Sequence, residues 1–168
     1  AVVRGAGGRG ELWTWGDAEG GKLGYELPPA GEASRGGRHW LAALAPTRVE
    51  PPGGFASGGA SSSSDVWDVA KVSCGRWHTL ALEASGAAWS CGAVGRVVVV
   101  GGDGGGSEAS SSSHTGGPRR VTLPSGEALV AADAASGDEH AAAIAVSASG
   151  AREVYTWGRG ADGALGHG

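Results

Sequence analysis

Residues able to do chemistry are sparse in this chain, and their spacing argues against most reactions. Gly158-Arg159-Gly160-Ala161-Asp162-Gly163 fits the G-x-G-x-x-G pattern of a dinucleotide-binding turn and follows a strand-like run. That chemistry needs a helix whose N-terminus faces the pyrophosphate. Leu165-Gly166-His167-Gly168 is poor helix material, so the segment reads as a turn. Gly101–Gly106 is Gly-rich but lacks the Gly-Lys-Ser/Thr that completes a phosphate loop. The five histidines, His39, His78, His114, His140 and His167, include none that pairs with Cys or another His at ligand spacing. Cys74 and Cys91 read as a reduced pair rather than a disulfide or half a metal site. The Ser-rich stretches carry no nucleophile elbow. The expectation is therefore no catalytic residue, no cofactor and no metal.

What organises the chain is repetition. Glu11-Leu12-Trp13-Thr14-Trp15-Gly16 returns as Glu153-Val154-Tyr155-Thr156-Trp157-Gly158. Gly21, Leu23 and Gly24 return as Gly163, Leu165 and Gly166, and the two sixteen-residue segments share seven identities. A degraded copy, Ala88-Trp89-Ser90-Cys91-Gly92, lies between them, which makes the unit about 70 residues with inserts. A second landmark pairs Cys74-Gly75-Arg76-Trp77-His78-Thr79 with Ser136-Gly137-Asp138-Glu139-His140-Ala141. Each is followed by a Ser-Gly turn, Ser85-Gly86 and Ser149-Gly150. A third pairs Pro46-Thr47-Arg48-Val49 with Pro118-Arg119-Arg120-Val121.

These landmarks, in this order, resemble the repeat of the regulator of chromosome condensation family. The stretch Val154–Gly168 matches the family's Gly-x-Val-Tyr-x-Trp-Gly and Gly-x-Leu-Gly-x-Gly segments most closely. The resemblance implies an all-β fold: a partial β-propeller of antiparallel blades, about two to three of the roughly seven in such a ring. It covers residues 1–168 as one partial propeller, with landmarks at 11–24, 66–92, 118–158 and 153–168. Low-complexity inserts are expected at about 25–45, 50–65 and 101–117. The repeat positions expected to be structural are Trp15, Gly16, Leu23, Gly24, Cys74, Gly75, His78, Gly86, Gly92, Gly137, His140, Gly150, Trp157, Gly158, Gly163, Leu165 and Gly166.

Composition agrees with short strands and tight turns. The 168 residues include 34 Gly, seven Trp and one Phe, so Ala, Val, Leu and Trp must supply the core. A net charge of −4 gives no strong nucleic-acid signal. No apolar run reaches the roughly 18 residues of a membrane span. There is no Met and residue 1 is Ala, which is expected of a fragment.

Strands are expected at Glu11–Trp15, Val66–Cys74, Thr79–Glu83, Ala87–Cys91, Arg96–Val100, Val121–Leu123, Leu129–Ala135, Ala141–Val146 and Glu153–Trp157. Residues 1–10 are expected to fray, and Arg38–Leu44 to form one or two helical turns. Trp13, Trp15, Trp89 and Trp157 are assigned to blade cores. Trp67 and Trp77 are the candidates for a surface cluster. His78 and His140 are expected to hydrogen-bond an adjacent strand.

The function expected is a non-catalytic protein–protein interaction module, cytoplasmic or nuclear, whose partner could be a small GTPase. The alternative is guanine-nucleotide exchange on a Ran-like small GTPase, the activity of the family's founding member. Plant ultraviolet-B photoreceptors are similar to this family and repeat Gly-Trp-Arg-His-Thr. Here Gly75-Arg76-Trp77-His78-Thr79 exchanges Trp and Arg and occurs once, so ultraviolet sensing ranks third.

Overall fold

The structure, a computed structural model, describes residues 1–27, 42–51, 67–93, 117–123, 125–147 and 150–166. The expected strand at Arg96–Val100, much of the three inserts and Arg38–Leu41 lie outside these residues. Among the described residues the chain forms antiparallel strands and two single 3-10 turns, Glu19–Gly21 and Ala161–Gly163, which are repeat-equivalent.

Three sheets follow one another in the chain. The first is β1 (Val2–Arg4), β2 (Gly10–Asp17) and β3 (Ala42–Arg48), in that spatial order. The second is β4 (Val69–Cys74), β5 (His78–Glu83), β6 (Ala88–Gly92) and β7 (Arg119–Arg120). The third is β8 (Ala131–Ser136), β9 (His140–Val146) and β10 (Arg152–Gly158). Each Trp-Gly or Cys-Gly landmark ends a strand, and each Pro-x-Arg-Val lies beside one: Trp13 faces Arg48, and Trp89 faces Arg120.

Several expectations need correction. Residues 2–4 are not frayed; β1 pairs with β2, Val2 opposite Leu12. Ala42–Leu44 is strand, not helix, because Ala43 pairs with Gly16 and Ala42 with Asp17. Pro46 is tolerated there because β3 is the outer strand of its sheet. The strand before Cys74 begins at Val69, with Trp67 and Asp68 ahead of it, and Val66 lies outside the described residues. The expected Val121–Leu123 strand is displaced to Arg119–Arg120, and β8 starts two residues later than Leu129.

The cores lie between sheets, which is why the blades must stack. Leu12, Val49, Trp67, Val69 and Ala81 fill the space between the first and second. Leu80, Leu82, Ala88, Val121, Leu129, Ala141 and Trp157 belong to the core between the second and third. Trp67 is therefore buried, edge-on to Trp89 with ring centroids 6.2 Å apart, and does not share a surface with Trp77. Trp157 is 2% exposed because the preceding sheet covers it, whereas its repeat partner Trp15 is 49% exposed. No described sheet precedes the first one. Trp13 and Trp89 are half-buried.

The Gly-x-x-His landmark has a steric basis. Gly75 donates its N–H to the His78 carbonyl at 2.9 Å, and Gly137 to that of His140 at 2.8 Å. The imidazole then lies against the glycine. A Cβ would fall 2.3 Å from the imidazole Cε1 at either glycine, so neither site has room for a side chain. The imidazole of His78 is 1% exposed, and its two nitrogens have no hydrogen-bond partner among the described residues. For His78 the expected bond to a neighbouring strand is not made among the described residues, and the ring packs on Gly75 instead.

Burial, with a smaller contribution from His140, pushes His78 down to about 4. The folded chain then binds fewer protons than the unfolded chain between the ordinary histidine value near 6.5 and about 4. His78 costs nothing above pH 6.5, and stability falls as pH drops through that window. The loss from this one residue amounts to about 3 kcal/mol by pH 4. Urea unfolding at pH 7 and pH 4.5 is expected to show a larger loss for the native sequence than for His78→Leu. Equal losses would mean that His78 is not held neutral.

Candidate interaction surface

The residues between Gly and His in each landmark are free to vary, and they gather on one face. Arg76-Trp77 joins β4 to β5, and Asp138-Glu139 joins β8 to β9. The Arg76 N–H donates to the Asp138 carbonyl at 2.9 Å, which locks the two loops side by side. The strands below are tied by the Ser136 N–H donating to Ser73 Oγ at 2.9 Å. The end of β2 adds Asp17, the residue after the first 3-10 turn adds Lys22, and the residue after β10 adds Arg159.

Trp77 is the centre of this face. Lys22 Nζ lies 5.4 Å and the Arg76 guanidinium 5.2 Å from its ring centroid. Both distances fit cation–π contacts. Lys22 also donates to the Arg76 carbonyl at 3.0 Å and pairs with Asp17, so it bridges the first and second blades. Its side chain is 14% exposed, which lowers the entropy cost of holding it. Arg159 Nη1 donates to Glu139 Oε2 at 2.7 Å. Arg159 holds the Glu139 carboxyl below its usual range, with smaller help from the Trp77 N–H and the charge of Arg76. Lys22 does the same for Asp17. An open depression of about 280 Å³ lies in this face, between Arg76, Asp138, Glu139, Arg159 and Asp162.

The expected repeat residues support this face from below. Thr14 Oγ1 donates to the Leu23 carbonyl at 2.6 Å, and Thr156 Oγ1 to that of Leu165 at 2.8 Å. These bonds fold the Leu23-Gly24 and Leu165-Gly166 turns back on the ends of β2 and β10. Gly24 packs against Cys91 at the end of β6, with Lys22 close to Gly92. Gly92 and Gly158 end their strands at φ of 89° and 106°, Gly16 lies one residue before the end of β2 at 99°, and Gly163 is the last residue of the second 3-10 turn. Gly86 and Gly150 sit in the hairpin turns after β5 and β9.

What the sequence did not reveal was the Lys22–Trp77–Arg76 stack and the Glu139–Arg159 pair. Their signal was present: opposite charges at the two variable positions of equivalent landmarks. Recognising it required knowing that the two loops touch.

The chemistry offered is recognition through charge and an aromatic ring. Among the described residues no group of three His, Cys, Asp or Glu is placed to hold a metal ion. No described helix is long and apolar enough to cross a membrane. Both cysteines are free. Cys74 is exposed, with Thr79 Oγ1 at 3.9 Å. Cys91 is 3% exposed, and burial, then the nearby Cys74, pushes its thiol up to about 12. Iodoacetamide at pH 8 is expected to label the folded chain once, at Cys74, and to reach Cys91 only after denaturation. Equal labelling of both would contradict the buried position of Cys91.

Residues 9–82 match the family model described as the regulator of chromosome condensation (RCC1) repeat. No curated protein sequence gives a significant match. Among solved structures, the chain is similar to Prp20p from Saccharomyces cerevisiae, a protein described with binding properties to Gsp1p and histones. Identity is 18% and the TM-score 0.52, over 95% of this chain and 31% of that one. It is also similar to yeast RCC1 (Prp20) solved with Kap60 bound, at 20% identity and a TM-score of 0.55, over 99% of this chain and 32% of that one. The chain thus spans about a third of the length of these structures. With its landmarks, its strand order and these matches, residues 9–82 carry a regulator of chromosome condensation repeat match, and the chain is folded as part of an antiparallel β-propeller.

Proposed function

We propose that this chain is a protein–protein interaction module, non-catalytic by itself, that binds its partner through the loop face centred on Trp77. The reading is carried by the Lys22–Trp77–Arg76 stack beside the Glu139–Arg159 pair. An aromatic ring held between cations, with ion pairs around it, has the composition of an interface hot spot. Opposite charges within one face favour a protein partner over a nucleic acid, which wants clustered positive charge alone. The yeast chain of the same fold binds Gsp1p and histones, which supports a protein partner in the cell interior. Guanine-nucleotide exchange on a Ran-like small GTPase is the second reading, favoured by the repeat type and by that neighbour. The ultraviolet-sensing reading loses support because Trp67 lies in the core.

The test is affinity capture on the immobilised chain, followed by titration of the recovered partner. Trp77→Ala and Arg159→Glu are each expected to weaken binding by about tenfold or more. Val146→Ser, at an exposed side chain at the end of β9 opposite to Glu139, is expected to leave it unchanged. Equal binding by all variants would reject the face. Accelerated nucleotide release from a Ran-type GTPase would favour the second reading.

A further inference from the structure

The hairpins of the first and second blades share one turn but differ in reach. In the first, the Gly5 N–H donates to the Arg9 carbonyl and the Gly8 N–H to that of Gly5, both at 2.9 Å. In the second, Glu83 and Gly86 donate to Ala87 and Glu83 in the same way. The strand running from the turn to the corner glycine is longer in the first blade, residues 10–16 against 88–92. The consequence is visible at equivalent glycines. A Cβ on Gly86 would lie 3.0 Å from Val130 and from the Ala131 carbonyl, whereas one on Gly8 would meet nothing within 4 Å. The second hairpin rests on the blade that follows it, and the first overhangs. The residue beneath also changes, since Trp67 precedes β4 where Leu129 precedes β8.

Under the overhang lies a cavity of about 300 Å³, at the small end of the range for small-molecule sites. Its floor is Leu12, Val49 and Trp67, all buried, and its rim carries Arg9, Glu11 and Arg48. Trp67 is 8% exposed, and its indole N–H has no hydrogen-bond partner among the described residues. Buried donors are usually matched, so this one is unspent. The rim charges are unequal. Glu11 already accepts from Trp13 Nε1 at 3.2 Å and pairs with Arg48 at 3.5 Å. Arg48 also pairs with Glu50 at 3.1 Å. Arg9 is exposed and has no ion-pair partner among the described residues.

We propose that this cavity binds a small aryl carboxylate. The ring lies on the Leu12–Val49–Trp67 floor, where its π face accepts the unspent indole N–H. The carboxylate meets the Arg9 guanidinium at the rim. Two guanidiniums and one engaged glutamate at the rim favour an anion over a cation. The apolar floor favours a ring over a bare acid. The site lies in the seam between the first and second blades, apart from the loop face around Trp77, and does not rest on the reading of that face.

The experiment is NMR titration of the 168-residue chain with 3-phenylpropionate, alongside 3-phenylpropanol and acetate. Saturable shifts are expected at the Trp67 indole N–H and at the amides of residues 5–12 and Val49. The alcohol is expected to bind more weakly at the same place, and acetate not to bind. Arg9→Gln, at an exposed side chain, is expected to weaken the acid about threefold to fivefold and to leave the alcohol unchanged. Trp67→Phe keeps a ring on the floor, removes the donor and is expected to weaken both. Absence of saturable shifts at millimolar acid, shifts centred elsewhere, or equal affinity for acid and alcohol would overturn the proposal. Binding that appears only after deletion of residues 53–65 would also overturn it, by naming the chain's own segment as the occupant.

Discussion

An imidazole packed against a glycine that has no room for a Cβ is the contact on which the second and third blades depend. It occurs at Gly75–His78 and again at Gly137–His140. In both places it fixes the turn from one strand into the next. The turn then sets the level at which β5 meets Gly92 and β9 meets Gly158. Glycine at those strand ends lets the Trp77 and Glu139 carbonyls approach, and both accept N–H bonds, from Ala93 and Arg159. Two small residues and one ring thus define each corner of the blade. The two side chains between them are left to solvent and to partners.

Stacking follows from composition. Sheets made largely of Ala, Val and Gly cannot each bury a core of their own, so the apolar residues meet between sheets. This explains the contrast between repeat-equivalent tryptophans. Trp157 has a sheet in front of it and Trp15 has none among the described residues. It also explains Val154, whose counterparts Leu12 and Ala88 are covered. Exposure here reports position in the array rather than residue type.

The fold was legible in the sequence because the landmarks mark strand ends and turns, which steric demands hold in place. The order of strands, the Ser-Gly hairpin after β5 and the Trp-Gly corners follow directly from them. Strand starts were less legible, since Trp67 and Leu129 are as apolar as the residues that begin the strands. Ala42–Leu44 read as helix because its partner, β2, lies some thirty residues earlier, and local propensity does not record pairing at that distance. The tryptophans were misassigned for the same reason. Trp67 is buried by Leu12 and Val49 of another sheet, a neighbour that its own flanking residues do not announce. The interaction face was legible least, because it depends on two loops more than sixty residues apart meeting through one hydrogen bond.

The most direct test is a double-mutant cycle at Gly137 and His140. Gly137 does not occupy the left-handed region, and the nearest atoms to a Cβ placed there all belong to the His140 ring. Urea unfolding of Gly137→Ala is expected to show a loss of about 2 kcal/mol or more in the native background, as overpacking does. The same change in a His140→Ala background is expected to cost less than about 1 kcal/mol, a coupling between neighbours of the usual size. Equal costs in the two backgrounds would show that the ring does not rest on the glycine, and would remove the contact that holds the blade corners.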